Sequence, residues 1–176
     1  HQQPRGTCGG RAGSRALEML QCILIASGKR AEFHLVSHAA IYYFARRKYR
    51  MDKGSPSDPR QDGVAGGSVP AVLAELGALH RKETEDHKYA GRGSDDLACK
   101  WGAGQISQEE QNKLFLLARD NLVTMKVRLR SAQECADFLA SGGVICQSDM
   151  QGYSLQRDAE GVCRAQGSWA HYHVRS

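Results

Sequence analysis

Two Ser-x-x-Glu boxes, SQEE at 107–110 and SAQE at 131–134, constrain this chain more than any other feature. In such a box the serine hydroxyl accepts from the N–H three residues on, and the glutamate reaches back, so each marks a helix start. The first predicts a helix to about Asn121. LVTMKVRL (122–129) then alternates, with Val123, Met125, Val127 and Leu129 on one face, and predicts a half-buried strand. The second box predicts a helix through Ala140, ended by Gly142–Gly143, with Ala132, Cys135, Ala136 and Leu139 as the layer against that strand. Beyond it VICQ, GYSLQRD, GVCRAQ and SWAHYHVRS predict three or four short strands parted by SDMQG, DAEG and QG turns.

Upstream the pattern is helical. Ser14 is placed to cap a helix with Leu17, Leu20, Ile23 and Leu24 on one side, ended by Gly28. A second helix is expected from about 30 to 51, and a third from Ser68, where Pro70 sits in the tolerant first turn. Residues 53–68 and 84–106 have loop composition, with Trp101 as an isolated anchor in the latter. The organisation expected is an extended basic arm (1–13), a helical region with long loops (14–106) and an α+β region (107–176) joined to it in one folded unit. The class is α+β: three helices in the N-terminal half, then a helix and a β-α-β-β-β unit with a mostly antiparallel sheet.

Composition narrows the function classes. At 176 residues, 41% hydrophobic and 24% charged, this is the make-up of a globular chain rather than a disordered one. The longest apolar runs, LEMLQCILIA and HAAIYYFA, fall short of the roughly 20 residues that span a bilayer, so no membrane crossing is expected. The six cysteines form no CxxC pair and are expected to be reduced and structural. A net charge of +5 permits RNA contact without requiring it. From His1 to Leu17 there is no acidic residue, while Arg5, Arg11 and Arg15 recur. That bias is of the kind left by a cleaved organelle transit peptide, and the expected location is mitochondrial.

The stretch AEFHLVSHAAIYYFARRKYRMDK (31–53) sets two histidines four apart before a basic, aromatic end. On a helical wheel Phe33, Val36, Ala40, Tyr43, Phe44 and Met51 form one stripe, and His34 and His38 fall off it. Zinc needs at least three protein ligands, and this helix offers two, so no metal site is expected and the histidines read as polar surface or interface groups. Arg46, Arg47, Lys48, Arg50 and Lys53, beside Tyr42, Tyr43, Phe44 and Tyr49, suit phosphate contact with base stacking, or a solvated, partner-facing helix end.

No nucleotide loop, GxSxG or HExxH is present, and Glu83, Glu85, Asp86 and His87 read as a solvated run. A Cys/His nucleophile leaves no mark of its own in sequence, because its members meet only in space. The expectation is therefore a non-enzyme without cofactor. It would be an accessory subunit of a large assembly, a respiratory-chain complex or similar, that works through contacts with other protein subunits. The alternative is an RNA-binding protein of an organellar ribosome, contacting ribosomal RNA. In both, Arg5, Arg11, Arg15, Arg46, Arg47, Lys48, Tyr49, Arg50 and Lys53 are the partner-binding residues. VRLRSAQECADFLASGGVI (127–145) resembles the strand–helix–strand segment of a small accessory subunit of respiratory complex I. That likeness spans about a tenth of the chain, and membership is not inferred from it.

Overall fold

The computed structural model describes residues 7–53, 63–65, 67–119, 123, 126–160 and 163–175, excluding the side chains of 49–53, 151–155, 163, 169–170 and 175. Among these residues the chain is α+β, with six helices and one two-stranded antiparallel sheet, the helices gathered in the N-terminal half. No helix in this set is long and apolar enough to cross a membrane.

α2 (His38–Lys53) is the central element. Every residue from Ala39 to Ala45 is buried, so this stretch is apolar on all sides and is covered on all sides. α1 (Cys8–Ala26), α3 (Ser68–Glu75) and α4 (Arg92–Gly102) pack around it. α1 begins six residues before the expected cap at Ser14, inside the segment expected to be an extended arm. Its glycines explain the difference. A Cβ at Gly10 would lie 2.5 Å from the His38 carbonyl oxygen, and one at Gly13 would lie 2.8 Å from Val69 Cγ1. Each glycine costs the helix about 1 kcal/mol of propensity, yet lets α1 approach α2 and α3 at backbone distance.

α2 starts at His38 rather than near 30, and residues 31–37 run extended, with Val36 bridging His80. Ser37 N donates to Leu79 O at 2.9 Å and Arg81 N to Leu35 O at 2.7 Å, so backbone pairing displaces the helix there. The 84–106 segment is mostly ordered by its own turns: short 3-10 turns at Arg81–Glu83 and Glu85–Lys88, then α4, whose Trp101 is buried.

α5 (Gln108–Ala118) and α6 (Ala132–Ala140) start where the two boxes place them. Ser107 and Ser131 each accept from the N–H three residues on, at 3.1 Å. The expected strand before α6 is absent in its described part. Residues 126–130 form no strand, and Val127 is 58% exposed. α6 buries none of its residues, so Ala132, Cys135, Ala136 and Leu139 are not the packed layer expected of them. The C-terminal strands are two long ones, β1 (Ile145–Arg157) and β2 (Cys163–Arg175), in place of three or four short ones. They pair from Ile145↔Arg175 to Arg157↔Cys163 with register shifts after Asp149. Tyr172 joins the core, with Cys146 and Val174 packed beside it, so the hairpin docks on the helices at its open end.

Candidate functional site at the head of α1

Cys8 is the first residue of α1 and is half-buried. Its side chain makes no hydrogen bond with any described residue. By helix geometry the N–H groups of Cys8, Gly9 and Gly10 have no intrahelical acceptor, and the macrodipole adds partial positive charge at this end. Thr7, in the N-cap position, gives no side-chain cap. Its hydroxyl instead donates to Asp95 Oδ1 at 2.6 Å.

A buried polar network clamps this helix head. Arg11 grips Asp95 with both arms of its guanidinium, Nε to Oδ1 at 2.8 Å and Nη2 to Oδ2 at 2.7 Å. Asp95 thus holds the residue before Cys8 and the residue three after it. Burial raises the Asp95 carboxyl, but the Arg11 and Thr7 hydrogen bonds outweigh it and hold the group below the ordinary aspartate value. Behind Asp95, His38 lies between two carboxylates, its Nε2 3.4 Å from Asp95 Oδ1 and its Nδ1 3.6 Å from Asp86 Oδ2. Burial dominates there and pushes His38 below the ordinary histidine value, against the pull of Asp86. Asp86 is fully buried and accepts the hydroxyls of Ser37, at 3.0 Å, and Ser94. The surface readings of His38 and Asp86 are therefore corrected. Their partners lie on other elements.

β2 reaches the same end of α1. A Cβ at Gly9 would lie 3.4 Å from the Tyr172 ring, so Tyr172 rests against the residue next to Cys8. His171 and His173 flank it, on the opposite face of the strand by alternation. Their rings meet edge to face at 4.9 Å, and His173 Nε2 lies 3.3 Å from Asp149 Oδ1. Burial, and then His173, hold His171 below the ordinary histidine value, which keeps it neutral near pH 7. The start of β1 pairs with Arg175, and Gly142 just before it lies against Ile23 in the last turns of α1.

The expected basic interaction surface is dispersed. Arg46 is buried, not solvated: it donates to Gly102 O at 2.9 Å and Gly63 O at 2.8 Å, with its guanidinium 5.8 Å from the Tyr42 ring centre. Arg47 points the other way, to Gln111 at 2.6 Å and over Phe115. Lys48 pairs with Glu75 at 3.0 Å, Arg15 pairs with Glu18 at 3.0 Å, and Arg11 is committed to Asp95. Arg5 and the side chains of Tyr49, Arg50 and Lys53 lie outside the described residues. No group of three or more His, Cys, Asp or Glu among the described residues is arranged to hold a metal.

No family model, curated protein or solved structure matches the chain.

Proposed function

We propose that this chain is a thiol-dependent acyl hydrolase or transferase, with Cys8 as nucleophile, acting on a carboxylic amide or ester. The observation that supports it best is the uncapped helix head. A half-buried cysteine stands first on a 19-residue helix whose N-cap side chain is turned elsewhere. Reactive cysteines favour helix N-termini, where the N–H groups and the dipole stabilise negative charge.

In this reading Cys8 Sγ loses its proton to water and bonds to the substrate's carbonyl carbon. The carbonyl π electrons move to oxygen, and the resulting oxyanion is held by the first-turn N–H groups. Collapse breaks the bond to the leaving amine or alcohol, which takes a proton from water. Water, or another acceptor nucleophile, then attacks the thioester and loses its proton to solvent as the thiolate departs. The acid or transferred acyl product leaves and the thiol is restored. This departs from the non-enzyme expected from sequence.

Iodoacetamide labelling with peptide mapping tests it. Cys8 should react faster than exposed Cys22, and far faster than Cys146, whose thiol burial pushes up to about 11. Equal rates at Cys8 and Cys22 would remove the nucleophile.

A second reading, the accessory subunit working through protein contacts, is favoured by uncovered apolar side chains near the C-terminal third. Leu116 is 69% exposed and Met150 61%, and α6 has no buried residue. Co-migration of the chain with larger partners in native lysate supports it, whereas migration only at monomer size counts against it. The RNA alternative loses Arg11, Arg46 and Lys48 from its contact set, since each is engaged within the fold.

A further inference from the structure

We infer that His34 and His80 form a pH-operated latch between residues 34–37 and 79–81, closed while both rings are neutral and released when both are protonated. The ring centroids lie 4.0 Å apart, with 30° between the planes. They sit where the two segments pair as strands: Val36 bridges His80, Ser37 N donates to Leu79 O and Arg81 N donates to Leu35 O. α1 holds the first segment from another side. Its Gln21 bonds both the N–H and the carbonyl of His34, and Glu18 accepts from Val36 N at 3.1 Å.

Neutral imidazoles share such a contact as aromatic rings do, whereas two imidazolium ions repel across it. With 19% and 21% of their side chains exposed, the rings have little water to screen that charge. The neighbours do not absorb it. Glu32 lies 3.2 Å from His34 Nε2 and Glu83 3.9 Å from His80 Nδ1, but Arg30 and Lys82 act on His80 with the opposite sign. Behind them, Asp86 faces Arg81 and His38, and Glu18 pairs with Arg15. Burial, and then His34, hold His80 below the ordinary histidine value. An opened junction therefore takes up protons before a closed one, and acidification below about 6.5 favours opening. Opening uncovers Val36 and Leu79, both buried in the closed state.

The test is amide hydrogen exchange read by NMR in the full chain at about pH 7.5 and about pH 5, corrected for intrinsic rates. Ser37 and Arg81, whose N–H groups cross the junction, should lose protection about tenfold on acidification, relative to Phe44 in the core of α2. His34→Gln and His80→Gln each leave a single titrating ring and should hold that loss within about twofold. In His34→Gln the Cε1–H of His80 should also titrate at higher pH, because the facing charge is gone. That second readout decides the matter even where the variant loosens the junction at every pH. Protection at Ser37 and Arg81 that does not change with pH in the wild-type chain overturns the latch. So does a loss of the same size in His34→Gln, which would assign it to burial of His80 or to His38 alone. An unmoved His80 titration in that variant overturns it as well.

Discussion

Asp95 accepts the Thr7 hydroxyl at 2.6 Å across 88 residues of sequence, and Thr7 in consequence caps nothing. The same carboxylate pairs with Arg11 and lies 3.4 Å from His38 Nε2. One buried aspartate therefore joins α4, the start of α2 and both sides of Cys8. The network and the helix head are one mechanical unit, and perturbing the first should be felt at the second.

The network makes stability depend on pH in a definite direction. His38 and Asp95 both titrate lower in the folded chain than unfolded, His38 because burial opposes its charge, Asp95 because Arg11 and Thr7 overcome burial. For each, the unfolded state binds the proton first on acidification, so folding is disfavoured as pH falls. Stability should be flat above the ordinary histidine value and decline as pH drops below about 6.5, then again below about 3.8. Denaturant midpoints measured between pH 8 and pH 3 check this, and a His38→Asn chain should lose part of the first decline, the part left by His80 and His171 remaining, while keeping the second.

Arg46 reverses the expectation of a solvated helix end. Its guanidinium satisfies Gly102 O and Gly63 O and lies over the Tyr42 ring. Arg46→Ala leaves two carbonyls short of a charged donor and a void where the stem was, so it should cost about 2–4 kcal/mol. Urea melts of that variant beside Arg15→Ala, whose side chain is 71% exposed, should separate the two by most of that amount.

Glycine at position 10 is required by contact. In an ordinary helix Gly→Ala gains about 1 kcal/mol. Here the new methyl would meet the His38 carbonyl at 2.5 Å and Tyr42 Cβ at 2.9 Å. Gly10→Ala should therefore destabilise by about 2–3 kcal/mol, as overpacking does. Thermal denaturation decides between these opposite signs.

What was legible in the sequence was local. Ser107 and Ser131 cap helices through atoms three residues away, and those starts stand where the boxes put them. The α+β class follows from helical periodicity early and turn-broken segments late. What was hidden was tertiary. Gly9, Gly10 and Gly13 resemble a flexible arm until His38, Tyr42 and Val69 arrive from other elements to need their missing side chains. Asp86 resembles a solvated acid in ETEDH, because Ser37, which buries one of its oxygens, is 49 residues away. The alternation read over 122–129 fails in its described part, 126–129, for the opposite reason: Val127 and α6 bring no covering layer, and residues 126–130 form no strand. Gly9 and Tyr172 lie more than 160 positions apart in sequence, and their contact too is visible only in the fold.

The most direct measurement of the central claim is acylation by p-nitrophenyl acetate, followed by p-nitrophenol release and by mass mapping of the acetylated peptide. A burst approaching one equivalent is expected, with an acetyl group on the peptide containing Cys8 and loss of both in Cys8→Ala. A burst that persists in Cys8→Ala, or acetyl spread over lysines and Cys22 with none favoured at Cys8, would contradict it.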